Sequence, residues 1–280
     1  MSIITQRVFG EFKVRGLSHS YGGQAVLEDC TLDVPRGKLT VLVGPSGCGK
    51  TTLINVLAGY ESPTSGQVLL DDQPVTGPGH DRLVVFQEMA LFPWMTVEQN
   101  VSFGCRVQNV PAAETRERVG KVLAKVGLSD FRSKYPSQLS GGMQRRAELA
   151  RAMVNDPKVL ILDEPFRGLD AMTRSMMQEF YVGLFEEIGR TNLFVTHDLE
   201  EAVFLADRLL VMTYRPGKIK EVIEVDLPRP RTFQVLATPR YNEIRQHALE
   251  LLYEEASKAF AAGSQAAFDL VDGFARAAGR

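Results

Sequence analysis

An α/β fold, with a mostly parallel sheet and a helical block inserted into it, is what the order of segments in this 280-residue chain predicts. Two observations carry that prediction. Short runs rich in Val, Leu and Ile alternate with longer segments of helical period, and a glycine-rich turn, "GPSGCGKTT" from Gly44 to Thr52, joins an apolar strand directly to a helix. Strands separated by helices pair in parallel through crossovers rather than as hairpins.

In chain order, "EFKVRGLSHSY", "AVLEDCTLDV", "KLTVLVG", "GQVLLDD" and "RLVVFQ" read as strands bounded by turn residues. From about Thr96 to Val154 the period is helical, in "TVEQNVSFG", "AAETRERVGKVLAKVG" and the run after Leu139, which places Leu149, Ala150 and Met153 on an apolar face. "KVLILDE", "TNLFVTH" and "RLLVMT" then alternate with helical segments from Asp170 to Ile188 and from Leu199 to Ala206. "DLPRPRTFQ", Asp226 to Gln234, is a proline-broken connector. Two further helices follow, "PRYNEIRQHALELLYEEASKAFAAG" and "SQAAFDLVDGFARAAG", with Gly263 and Ser264 as C-cap and N-cap between them. Phe268, Val271 and Phe274 give the last one an apolar face suited to packing on the core or on a neighbouring subunit.

Composition narrows the function classes. A formal net charge of -2 and a pI near 6.1 supply no basic footprint for nucleic acid. Cys30, Cys48 and Cys105 show no CxxC pairing, so neither a disulfide framework nor a zinc site is predicted, and a reducing setting fits. The N-terminal stretch lacks a basic region followed by an apolar one, and no apolar run reaches the roughly 18 residues that span a bilayer. Work at a membrane would require other proteins.

The phosphate chemistry starts at "GPSGCGKTT". Its glycines, Gly44, Gly47 and Gly49, let consecutive backbone N–H groups of Gly44, Ser46, Gly47, Cys48, Gly49, Lys50, Thr51 and Thr52 point at one phosphate group, with Pro45, which has no N–H, part of the same loop. Lys50 supplies a charge to the β and γ phosphates, and the Thr51 hydroxyl suits magnesium. Cys48, at a helix N-terminus beside Lys50, predicts a lowered thiol pKa and a reactive thiolate. "KVLILDEP" ends an apolar strand in two carboxylates, with Asp163 suited to a magnesium shell and Glu164 to polarising a water as general base. "LSGGMQRRAELARAM", Leu139 to Met153, opens a helix on Ser140, Gly141 and Gly142 and forms a second anion site. Taken singly, Tyr21 has a lesser reading as a half-buried strand aromatic and Gln87 a lesser one as a turn cap, whereas a satisfied core histidine is the favoured reading of His197.

Together and in this order the motifs resemble the nucleotide-binding subunit of the ATP-binding cassette (ABC) transporter family, over about Phe12 to Arg231. They are Tyr21 in "SHSYGG", the phosphate loop, Gln87 in "VVFQE", "LSGG", the acidic strand, "GLDA" with Asp170 and "LFVTHD" with His197. The resemblance implies a P-loop NTPase cassette at 12–231, with a RecA-like core, an antiparallel β subdomain and a helical subdomain at about 92–156, followed by a helical extension at 232–280. It implies ATP and Mg2+ as ligands, with Tyr21 stacking on adenine, and Thr51, Gln87 and Asp163 around the metal. Gln87 then relays the presence of ATP to a membrane subunit, and His197 donates to the γ phosphate. Ser140, Gly141 and Gly142 would bind the γ phosphate of a second copy, so that each site takes its loop, base and histidine from one subunit and its signature from the other. Asp170 and Gln144 complete the nucleotide-binding set.

The resemblance extends to partners. It implies a second ATP-binding subunit, two transmembrane permease subunits, an extracytoplasmic solute-binding protein acting indirectly, and no nucleic acid, with the chain peripheral on the cytoplasmic face of the plasma membrane. "QEMALFPWMTVEQNV", Gln87 to Val101, and "DLPRPR" are similar to the branch that imports nitrate, sulfonates and taurine. There Phe92 and Trp94 would line a groove for an incoming helix; as isolated residues they read equally as core. Met143, Arg145 and Arg167 depart from residues common in the family. The departures at 145 and 167 are expected to leave the catalytic set untouched and to bear on the dimer contact. A soluble cassette acting on nucleic acid or translation, a P-loop kinase and an exporter subunit are the rival readings.

Overall fold

The computed structural model describes residues 9–262. Near the start, β1 (Phe12–Tyr21) turns through Gly22 and Gly23, both at positive φ, into β2 (Gln24–Val34), and the two pair antiparallel from Phe12↔Val34 to Tyr21↔Gln24. β3 (Leu39–Val43) follows, then α1 (Lys50–Ala58), β4 (Ser65–Leu70), the short β5 (Gln73–Pro74) and β6 (Arg82–Val85). β1, β2, β4 and β5 form a four-stranded antiparallel sheet in the order β2-β1-β4-β5.

Helices then occupy the expected block: α2 (Val97–Val107), α3 (Ala112–Lys125) and α4 (Gly141–Met153). α2 starts on a capping box in which the Thr96 hydroxyl accepts from Gln99 N and the Gln99 side chain accepts from Thr96 N. These helices bury Val97, Val101, Val119, Leu123, Ala147 and Ala150 in a core of their own. The chain returns through β7 (Val159–Asp163), α5 (Ala171–Ile188), β8 (Thr191–Thr196), α6 (Leu199–Leu205), β9 (Arg208–Met212), β10 (Ile219–Glu224) and α7 (Pro239–Ala261).

The second sheet runs β10-β9-β3-β8-β7-β6, parallel throughout except for β10. β3, β7 and β8 are buried at every position, as strands covered on both faces must be. Alternation then sorts their side chains. Val41, Val43, Leu162 and Phe194 face α5, α6 and α7, whereas Leu42, Ile161 and Leu193 face α1 and the antiparallel sheet.

β10 escaped the sequence reading because "IKEVIE" places charges among its apolar residues, and it is a half-exposed edge strand. The proline-rich connector is tied down rather than loose: Arg229 bonds Asp207 at 2.8 Å and Glu186 at 3.0 Å, and the buried Arg231 donates to Phe204 O at 2.9 Å. α7 is capped by Thr238 with Pro239 at its first position. It packs on the core, with buried Glu255 accepting from Tyr214 N at 2.9 Å and Lys220 Nζ at 2.9 Å. The second expected helix of the extension, including Gly263, Ser264, Phe268, Val271 and Phe274, lies outside the described residues.

One expectation is overturned by packing. Cys48 belongs to the core between α1 and the antiparallel sheet and is 0% exposed. Burial raises its thiol pKa, outweighing the nearby Lys50 charge and backbone N–H groups that favour the thiolate. Cys48 is therefore an inert, protonated filler, not a reactive thiolate. Iodoacetamide at neutral pH should label Cys48 of the native protein slowly, and at the same rate with and without MgATP. Rapid labelling that MgATP blocks would contradict the burial.

Candidate functional site

Parallel pairing brings the carboxyl-terminal ends of β3, β8, β7 and β6 side by side, with Val43↔Thr196, Asp163↔Val195 and Val85↔Leu162 in register. The residues just past those ends are the phosphate loop, His197, Glu164 and Gln87. Ligands of open α/β sheets bind at this edge.

After β3 the chain turns through Gly47 and Gly49, at φ 77° and 104°, conformations that side chains rarely adopt. A Cβ at Gly49 would also come within 2.8 Å of Leu27 Cδ2. The turn delivers Lys50 to the first position of α1, where its Nζ donates to Gly44 O at 2.8 Å and Pro45 O at 3.2 Å. Gly44, Pro45 and Cys48 are buried, while Ser46 and Gly47 present backbone to solvent. Arg215 Nε donates to Gly47 O at 2.9 Å, an anchor that motif reading did not find.

Next to the loop, Thr51 Oγ1 lies 3.4 Å from Asp163 Oδ2. Burial and the neighbouring Glu164 charge push the Asp163 carboxyl up, against the Lys50 charge and the Thr51 hydroxyl, which favour its ionised form. A carboxylate and a hydroxyl suit Mg2+, which takes few protein oxygens and completes its shell from phosphate and water. Among the described residues no group of three or more His, Cys, Asp or Glu forms an all-protein metal cage.

Glu164 has φ 42°, left-handed backbone in a non-glycine residue, held by its N–H on Val195 O at 2.9 Å. Its Oε2 lies 3.0 Å from His197 Nδ1 and 3.3 Å from Arg167 Nη1. Burial opposes ionisation of Glu164, but the His197 hydrogen bond and the His197, Lys50 and Arg167 charges outweigh it and lower its pKa. The same bond raises the His197 pKa against burial. Arg167 thus touches Glu164, the carboxylate expected to act as base, which corrects the expectation that this departure leaves the catalytic set alone.

Arg145 calls for the same correction. It is 1% exposed, away from any subunit surface, and its guanidinium donates to Gln87 O at 2.7 Å and Phe86 O at 2.9 Å. Substitution of the family's usual residue marked both arginines in sequence, but not what they would reach.

Tyr21 is 48% exposed beside α1, its hydroxyl donating to Glu61 at 2.5 Å and its ring edge-on to His19 at 4.7 Å, so it stands at the surface rather than in a strand core. Ser140 caps α4, its Oγ accepting from Met143 N at 3.3 Å. Gly141 and Gly142 pass beneath α5, where added Cβ atoms would meet Leu169 at 3.3 Å and Thr173 at 3.1 Å. Gln144 Nε2 is engaged within the same segment, by Pro136 O at 2.9 Å and Leu139 O at 3.2 Å. Asp170 caps α5 by accepting from Thr173 N at 3.0 Å. The signature thus sits against the Asp170 turn.

Trp94 is 70% exposed, its ring tilted 35° to that of Phe92 at 5.6 Å, and Phe92 rests 4.8 Å from Phe103. Trp94 is therefore no core residue. Phe92, Phe103, Phe86, Leu83 and Ala152 line a cavity of about 400 Å³ at this edge of the sheet.

Comparison with known proteins agrees with this geometry. The sequence pattern of the ABC transporter family matches residues 27–167. The nitrate import ATP-binding protein NrtD of Synechococcus elongatus is 44% identical over 236 residues, 83% of this chain and 86% of that protein. The taurine import ATP-binding protein TauB of Jannaschia sp. is 42% identical over 242 residues, 83% of this chain and 88% of that one. A dimeric ATP-binding cassette solved in a post-hydrolysis state with ADP and Pi superposes with a TM-score of 0.67 at 27% identity, covering 78% of this chain and 100% of the other. This chain belongs to the ABC transporter family, as an ATP-hydrolysing ATP-binding subunit of α/β cassette fold.

Proposed function

We propose that the chain drives import of a small solute of the nitrate, sulfonate or taurine kind by hydrolysing MgATP between two copies of itself. The observation that carries the reading is the Glu164–His197 pair, 3.0 Å apart, beside the Thr51–Asp163 pair at the end of the phosphate loop. That arrangement holds a base next to the place where a γ phosphate would lie.

The backbone N–H groups of Ser46 to Thr52 and the α1 N-terminus receive the phosphates. Lys50, now spent on loop carbonyls, turns its ammonium to the β and γ oxygens. Thr51, Asp163 and Gln87 would hold Mg2+, which when bound offsets phosphate charge. Glu164, kept ionised, accepts a hydrogen bond from the attacking water and takes its proton. His197, oriented by its Glu164 contact, donates to the γ phosphate, a role for which neutral imidazole suffices. Tyr21 offers its exposed ring to adenine.

Ser140, Gly141 and Gly142 open a 13-residue helix, whose free N–H groups suit the γ phosphate of a second subunit. ATP then joins the two copies and its hydrolysis releases them. The dimeric relative with ADP and Pi supports this reading. The names of the import relatives and the exposed Trp94 support two permease partners that hold the chain at the cytoplasmic face. The cavity at Phe92 would take a permease helix, and a solute-binding protein would deliver the solute.

Glu164→Gln preserves shape but removes the base, so hydrolysis should fall by about a hundredfold or more while ATP still binds. Light scattering should then show a dimer with MgATP and a monomer with MgADP. Adding Ser140→Arg should abolish that dimer and spare nucleotide binding by each subunit. Hydrolysis at the unsubstituted rate in Glu164→Gln would refute the base. In a second experiment, Phe92→Ala with Trp94→Ala should weaken co-purification with the permease subunits at unchanged ATP affinity, whereas lost ATP binding with assembly intact would show the pair to be structural. Solute identity is read by finding which solute-loaded binding protein stimulates hydrolysis by the assembled transporter.

A further inference from the structure

β6 pairs with β7 only as far as Val85↔Leu162, and the chain then leaves the sheet at Phe86 and Gln87. Their two carbonyls are met by one side chain from α4. Arg145 Nη1 donates to Phe86 O at 2.9 Å and to Glu148 Oε2 at 2.6 Å, and its Nη2 donates to Gln87 O at 2.7 Å. The other Glu148 oxygen accepts from Ala90 N. One turn later, Arg151 donates to Ala90 O at 2.7 Å and lies 5.3 Å over the Phe92 ring. The Gln87 turn is thus fastened to α4 on both sides.

The spacing places Arg145, Glu148 and Arg151 on one face of the helix. Arg145 and Glu148 are 1% and 3% exposed, and a buried ion pair is seldom more stabilising than apolar residues of the same volume. Geometry supplies a reason for the charges: only the rigid guanidinium fork can span two successive carbonyls and a carboxylate. The helix it fastens begins at the Ser140 cap.

We infer that Arg145, oriented by Glu148, is a positioning residue for Gln87, making the glutamine turn and the signature helix one rigid piece. Contact of Ser140–Gly142 with one subunit's nucleotide and placement of Gln87 at the other nucleotide then change together. The inference rests on the roles proposed above for Gln87 and the signature.

The test is a double-mutant cycle on ATP hydrolysis by the purified protein. The pair Arg145→Gln with Glu148→Gln removes both charges of the buried pair at similar volume. It should lower kcat about tenfold, with KM for MgATP and Tm near those of the unsubstituted protein, and cause no further loss when added to Gln87→Ala. Arg145→Lys, which keeps the charge but cannot span both carbonyls, should lower kcat equally and provides the test if the neutral pair fails to fold. A loss that multiplies with that of Gln87→Ala, or full activity in Arg145→Lys, overturns the inference. Gln87→Ala with undiminished kcat would overturn the role of Gln87 itself, and with it the inference, a failure visible in the single variant.

Discussion

Parallel pairing of β3, β8, β7 and β6 forces four strand ends onto one edge of the sheet, because each strand runs the same way and each crossover returns the chain to the far side. The phosphate loop, His197 and Glu164 follow those ends directly, and Gln87 follows by way of a turn that Arg145 holds. What the packing adds is precision. Both faces of the sheet are covered, so the strand ends are fixed by burial on either side, and residues one step beyond them inherit that rigidity.

Electrostatics then divides two adjacent carboxylates. Asp163 is buried and its carboxyl is pushed up, whereas Glu164 is held low by His197, Lys50 and Arg167. The left-handed backbone at Glu164 turns the chain between them and gives the two carboxylates different surroundings, which suits the separate roles proposed for them. Arg167 enters this balance from an exposed turn next to the Asp170 cap. A residue expected only at the dimer contact thus bears on the base.

Much of this was legible because it is local. Gly47, Gly49, Lys50 and Thr51 lie in one turn, Asp163 and Glu164 end one apolar strand, and a cap such as Ser140 or Asp170 sits three residues before the amide it serves. The same locality misled at Cys48. A helix N-terminus and Lys50 both argue for a thiolate, but burial against a distant part of the chain reverses the sign. Arg145 and Gln87 are 58 residues apart, so nothing in their spacing announces the bond, only an arginine where the family has another residue. β10 was missed for a related reason: an edge strand with charged positions has little apolar signal to read.

In the proposed dimer a complete site needs the phosphate loop of one subunit and the signature of another. Complementation between two inactive proteins tests it directly. Lys50→Ala spoils the loop and spares the signature; Ser140→Arg does the reverse. Each protein alone should hydrolyse almost no ATP, and an equimolar mixture should recover activity, because mixed dimers contain one site built from the intact loop and the intact signature. A mixture no more active than its components, with mixed dimers shown to form, would contradict the account.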